Sequence, residues 1–298
     1  MAGTDTKAAE TGDLAALEAG LDALERPAGP PRRGAGPARA LLSAVLPPLL
    51  AVGLLLGAWQ LICMAEVKPR YLLPGPLDVW RALVDQWYEG TILGVIWESV
   101  SRGALGFAVA TLVATPLGLL VGRVTPVRMA VGPILSGLQS LPSVAWVPAA
   151  VVWFGLTDAT IYAVVLLGAV PSIANGLISG MDHVPPIYLR AGRTMGATGL
   201  AGVRHVLLPA AIPGYLAGLK QGWAFSWRSL MAAELIASSP DLGMGLGQLL
   251  ENARVNQDMS LVLASILLVL VVGVGIELLV FAPLQRRVLR GRGLMDGK

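Results

Sequence analysis

Six apolar runs long enough to cross a membrane punctuate the chain, at residues 41–64, 103–122, 129–156, 159–181, 212–237 and 259–282. At 1.5 Å per residue the first reaches about 35 Å, which exceeds a hydrocarbon core about 30 Å thick. The pattern predicts an all-α polytopic membrane protein with six transmembrane helices, since a helix satisfies its own backbone in lipid. Pro133, Pro142 and Pro148 interrupt the third run, and Pro171 and Asn175 lie in the fourth. Ahead of the first run, residues 13–25 place Leu14, Leu17, Leu21 and Leu24 on one stripe and four acids elsewhere. That spacing predicts a short acidic amphipathic helix, and a Pro/Gly/Arg-rich linker follows it to residue 40. Residues 65–102 form a polar segment in which Leu73-Pro74-Gly75-Pro76 forces a turn. The stripe Leu77, Trp80, Leu83, Val84 and Trp87 then predicts a helix lying on the membrane surface. Residues 283–298 form a basic tail.

Charge orients these runs. Six spans put both termini on one side, and segments on that side carry Lys7, Arg26, Arg32, Arg33, Arg39, Arg123, Arg128, Arg190, Arg193, Arg204 and the tail arginines. The other side carries only Lys68, Arg70, Arg81 and Arg254, with Arg102 near a boundary. Basic residues mark the cytoplasm, so both termini and the loop at 182–209 are expected there, and residues 65–102 outside. Composition agrees with this class: 55% of the 298 residues are hydrophobic and 14% charged, against about 25% charged in a soluble domain. The net charge of +3 comes from short clusters beside apolar runs, with no aromatic-interleaved basic patch, so no nucleic-acid partner is expected. Cys63 is the only cysteine and sits at a helix end, which excludes an intrachain disulfide and a cysteine metal site.

Residues 188–213 read YLRAGRTMGATGLAGVRHVLLPAAIP, the one long interior loop that is both basic (Arg190, Arg193, Arg204) and rich in small residues. Gly196 can adopt a positive φ and turn the chain between two short helices. Pro209 and Pro213 suit re-entry into the next helix. Ala191, Gly192, Ala197 and Gly199 would let the helix pair sit deep in a partner's groove.

This loop resembles that of the membrane subunits of ATP-driven importers, which carry Glu-Ala-Ala, three residues, Gly, nine residues, then Ile-x-Leu-Pro. Arg190-Ala191-Gly192 occupies the first slot, Arg193-Thr194-Met195 the spacer, Gly196-Ala197 the turn, and Val206-Leu207-Leu208-Pro209 the last slot. Arg190 and Gly192 depart from the pattern, so the motif keeps its spacing and inverts its charge. The segment LQSLPSVAWVPAAVVWFGL at 138–156 and the proline turn before Trp80 are similar to the nitrate, sulfonate and taurine branch. The resemblance covers about residues 71–290. It implies a type I importer permease-like core at 103–282, with the loop at 182–209 coupling it to an ATPase subunit. It further implies a second permease copy, expected as a homodimer, an extracytoplasmic substrate-binding protein, and location in the cytoplasmic membrane. ATP and magnesium would be bound by the ATPase, and no cofactor by this chain. The transported solute would be alkanesulfonate or taurine, with nitrate, bicarbonate or a thiamine-precursor pyrimidine as alternatives.

The chain carries no phosphate-cradling G-x-x-x-x-G-K-[ST], no H-E-x-x-H and no G-x-S-x-G pattern, and its two histidines are His183 and His205. It is therefore not expected to be an enzyme or to bind metal. Ionisable residues within spans are costly and mark pathways or interfaces. The fifth run carries Arg228 and Glu234 near Trp223 and Trp227. Six residues of helix separate the two charges by about 9 Å of rise, so each needs another helix, another protomer or water. With Asn175 these four are the candidate translocation path, Arg228 attracting an anion. A structural ion pair or a snorkelling arginine is the competing role for Arg228, and packing or subunit contact for Glu234. Glu277, close to a span end, is expected to snorkel. A stand-alone secondary transporter would show two matching halves with broken helices, and no such repeat is present. A scaffold or lipid-binding membrane protein would leave the loop motif unexplained.

Overall fold

The computed structural model describes residues 37–237 and 243–292, with side chains from residue 46 onward. The acidic helix expected at 13–25, most of its linker and the last six residues of the basic tail lie outside the described residues. All regular structure among the described residues is helical. The chain divides into two compact units, Met1–Leu61 and Ile62–Lys298. Of the first, the described part is most of helix α1 (Pro37–Met64). Its large apolar side chains stand in the open, Leu54 at 74% and Leu61 at 67%, over a 19-residue window of mean hydropathy 1.8. A helix that buries nothing yet is this apolar presents a surface suited to lipid.

The second unit contains α2 (Pro76–Tyr88), α3 (Thr91–Arg123), α4 (Thr125–Ser140), a 3₁₀ turn (Ser143–Trp146), α5 (Val147–Phe154) and α6 (Asp158–Asp182). Then come α7 (Pro186–Thr194), α8 (Gly199–Gly202), a π turn (Val203–Leu207), α9 (Leu208–Ile236) and α10 (Leu246–Val255). Last are α11 (Met259–Ile276), a π turn (Glu277–Phe281) and α12 (Ala282–Arg290). Proline at the first turn and the Gly75 N–H donating to Asp78 Oδ2 at 3.1 Å start α2 where the sequence turn predicts it. The stripe of α2 stays exposed at Leu77, Trp80 and Trp87, while Val79 is buried.

Among the described residues, five helices are long and apolar enough to cross a membrane, or six when one bent pair counts as a span. That pair corrects the third expected span. Instead of running through, the chain bends by 99° between Thr125–Ser140 and Ser143–Phe154. Leu141, with φ −76° and ψ 134°, is extended as the residue before a proline prefers to be. Pro148 falls in the first turn of α5, where its missing N–H costs nothing, and so does not break it. The second span also differs: α3 begins at Thr91, well before residue 103, and takes in Glu98 and Arg102.

α6 sits at the centre. It buries Ile161, Val164, Val165, Ala169, Ile173, Ala174 and Leu177 around its circumference, the signature of a helix enclosed by others. α3 and α9 pack against it. The α6–α9 crossing is built on glycine. A Cβ on Gly176 would stand 2.2 Å from the Gly218 Cα, and one on Gly214 would stand 2.4 Å from the Gly180 Cα. In a membrane, where lipid is as apolar as leucine, such backbone approach is what holds helices together. On the other side of α9, Trp223 stacks on Trp227 with ring centroids 6.2 Å apart, and Phe107 and Phe281 pack on Trp223.

Candidate functional site

The loop at 182–209 folds as a helix pair joined by a tight turn. Pro186 opens α7 and its last carbonyls are satisfied, with Met195 N–H donating to Ala191 O and Ala197 N–H to Gly192 O at 2.8 Å. Gly196 has φ +85° and Gly199 φ +56°, the left-handed conformation that side chains resist. The turn is packed as well as bent: a Cβ on Gly192 would meet Val206 Cγ2 at 2.8 Å, and one on Gly202 would meet Ala197 O at 2.7 Å. The glycine that departs from the importer pattern thus makes room for the valine in the pattern's last slot. Leu207 is buried beside Leu177, Met181, Val184 and Ala211, which anchors the pair to α6 and α9. The outer surface carries Arg190, Arg193 and Arg204, all exposed, alongside Met195 at 79% and Leu200 at 83% exposure.

Above this platform a cavity of about 570 Å³ opens between α6 and α9, roofed in part by α4. Asn175 lines it and donates Nδ2–H to Gln139 Oε1 at 2.8 Å. Ser172, Gln221 and the floor glycines Gly176, Gly180, Gly214 and Gly218 line it too, and His183 and Tyr188 stand at the platform end.

Of the five expected path residues, Asn175 alone reaches this cavity. Trp223 and Trp227 are core side chains, 6% and 8% exposed. Arg228 is exposed, donates Nε–H to Ala224 O at 3.0 Å and lies 4.6 Å over the Phe225 ring. It borders a different groove, with Ile266, Leu270 and Glu277. Glu234 and Arg228 are not partners. Glu234 is fully buried and accepts from Ser99 Oγ at 2.7 Å and from Gly247 N–H at 3.0 Å, with Arg102 Nη1 3.5 Å away. Glu277 pairs with Lys220, whose Nζ lies 2.5 Å from its carboxylate.

Arg102 was legible in the sequence only as a boundary residue. In the fold its 5%-exposed side chain reaches Glu98 at 3.0 Å, Asp158 at 3.1 Å and Gly243 O at 3.2 Å as well as Glu234. Ser99 Oγ also accepts from Leu246 N–H at 2.8 Å. One cation therefore ties α3, the start of α6, the end of α9 and the segment entering α10. The Glu98/Arg102 spacing of four residues was the available signal. For the cavity it was the four-residue recurrence of Gly176 and Gly180 and of Gly214, Gly218 and Gly222.

Comparison with known proteins agrees with this architecture. The profile of the family described as binding-protein-dependent transport system inner membrane component matches residues 114–288. The nitrate import permease protein of Leptolyngbya laminosa is 30% identical over 241 residues, covering 79% of this chain and 85% of the relative. The taurine transport system permease protein of Escherichia coli is 28% identical over 242 residues, covering 80% and 86%. Among solved structures, an inward-facing form of the MetNI methionine ABC transporter matches at a TM-score of 0.55 and 22% identity. It covers 66% of this chain and 95% of that one; at this identity the likeness concerns the fold. The profile match, the permease relatives and the helical core with its glycine-turned loop make one conclusion: the chain belongs to the binding-protein-dependent inner-membrane permeases of ABC importers, in the branch that includes nitrate and taurine permeases.

Proposed function

We propose that this permease carries a small anionic solute, an alkanesulfonate or taurine, across the cytoplasmic membrane, driven by a separate ATPase that docks on the platform at residues 186–209. The observation that carries the reading is the platform itself. It carries three exposed arginines together with the exposed Met195 and Leu200, and large apolar side chains so far out of the core mark a protein-docking surface. Arg190 stands where the pattern has an acid, so the ATPase must meet it with acidic or neutral groups. Arg190, Ala191, Gly192, Arg193, Thr194, Met195, Gly196, Ala197, Leu208 and Pro209 form the coupling segment. Its rigid attachment to α6 and α9 through Leu207 would pass motion of the ATPase to the cavity walls. ATP and magnesium belong to the ATPase in this reading. A second copy of the permease completes the pathway, and an external binding protein delivers the solute. In this reading the platform and the tail face the cytoplasm, which their basic residues support. Nitrate, the solute in the name of a relative that matches equally well, is the second reading.

Co-purification of the tagged chain with the ATPase encoded beside it, then ATPase activity in liposomes, tests the function. Stimulation by a binding protein loaded with taurine or an alkanesulfonate supports the first reading and stimulation by nitrate the second. Failure of any ATPase to associate overturns both. Gly196 supplies a finer test, because a Cβ there meets nothing within 4 Å and only its φ resists substitution. Gly196→Asn, which tolerates the left-handed region, should retain coupled transport. Gly196→Val should cost about 1–2 kcal/mol at the turn and lower ATPase association about tenfold. Equal association of the two variants would remove the turn from the coupling mechanism.

A further inference from the structure

We propose that Ser172, Asn175 and Gln139 form an uncharged binding site, within the membrane, for the sulfonate head of the transported solute; the proposal rests on the importer reading and deepens it. Ser172 is 2% exposed, lines the cavity, and its hydroxyl has no hydrogen-bond partner among the described residues. A serine or threonine on a buried helix ordinarily satisfies itself by donating to the carbonyl four residues back. This protein does so at Thr111, Thr115 and Ser265, which donate to Phe107, Thr111 and Leu261 at 2.8, 2.6 and 2.8 Å. Ser172 does not, and a buried hydroxyl held ready but unused is costly unless something else accepts its hydrogen bond. Among the described residues three other buried polar side-chain atoms lack partners, on Ser226, Ser229 and Gln248, but none of those residues lines the cavity.

The neighbouring amides are half-used. Asn175 lies three residues beyond Ser172 on the same helix face. Its single bond to Gln139 leaves the Gln139 amide hydrogens and the Asn175 carbonyl without a partner among the described residues. The site thus offers a hydroxyl and amide donors to an oxyanion, and an amide acceptor to an ammonium at the other end of a zwitterion. Among the described residues, no Lys, Arg, Asp or Glu lines the cavity. Without a compensating cation, the cost of desolvating an anion grows with the square of its charge. The site therefore favours one negative charge spread over three oxygens above a divalent sulfate or phosphate. Shape agrees: from Ser172 to His183 the cavity follows α6 for roughly 16 Å, from the platform to near mid-membrane. Gly176, Gly180, Gly214 and Ala217 leave a smooth wall for an aliphatic arm.

Two measurements test the site. In liposomes holding the full complex, Ser172→Ala and Asn175→Leu should each lower ethanesulfonate uptake per ATP hydrolysed about tenfold, the value of a buried hydrogen bond to a charged group. Uptake per ATP at the wild-type level in both variants overturns the proposal. The second measurement needs no ATPase. With the sole native thiol removed by Cys63→Ser, the thiol of Ser172→Cys in membranes should react with 2-sulfonatoethyl methanethiosulfonate. Ethanesulfonate should protect it and sulfate should not. Equal protection by sulfate, or none by either anion, overturns the proposal. An unstimulated wild-type ATPase would instead sink the importer reading, and the labelling result would still judge the site.

Discussion

Gly176→Val is expected to leave almost no folded permease in the membrane. A Cβ at this position already falls 2.2 Å from the backbone Cα of Gly218, and the same site approaches Gly218 N at 3.1 Å. Backbone atoms cannot rotate out of the way as a side chain can, so α6 and α9 must separate. Separation would also open the Gly180–Gly214 contact one turn along and loosen Leu207, Ala211 and the platform anchored there. We expect a loss at or above the upper end of the roughly 1–3 kcal/mol typical of overpacking. Gly137→Ala serves as the control, since a Cβ there meets nothing within 4 Å; it should be neutral or raise stability slightly through helix propensity. Size-exclusion profiles and thermal unfolding of detergent-solubilised protein check both. A monodisperse Gly176→Val protein with wild-type Tm would mean the two helices do not approach as closely as described.

The second large effect concerns Arg102. Arg102→Met removes the one cation among the described residues that serves Glu98, Asp158 and the fully buried Glu234. Glu98 and Asp158 side chains are 37% and 54% exposed and can turn to water, whereas Glu234 cannot. Stranding a buried charge in this way costs about 3–5 kcal/mol. Adding Glu234→Gln to Arg102→Met should recover a substantial part of the loss, because the amide keeps hydrogen bonds to Ser99 and Gly247 without the charge. Thermal unfolding of the two single variants and the double variant measures this coupling, and additive losses would show that Arg102 does not serve Glu234. By contrast, Arg128→Ala should cost less than about 1 kcal/mol. Its paired partner is Asp182, and both side chains are more than 40% exposed.

Hydropathy, basic-residue asymmetry and the spacing around Gly196 carried the class, the number of apolar runs and the loop motif, because each is a local property. Lipid demands a long apolar stretch, and a left-handed turn demands glycine, whatever lies elsewhere in the chain. Helix boundaries and partners were another matter. Arg102 made the second apolar run look shorter than it is, since its cost in a helix depends on Asp158 and Glu234, which lie 56 and 132 residues away in sequence. Arg228 looked like a pathway residue on charge alone, yet the turn of α9 directs it away from the cavity that Asn175 enters. The cavity itself was hidden because its walls are glycines, whose sequence signal is the absence of a side chain. Only when α6 and α9 cross, placing Gly176 on Gly218 and Gly180 on Gly214, does that absence become a space with Ser172 at one end and the platform at the other. Local chemistry specified the elements, and long-range packing chose which polar groups meet.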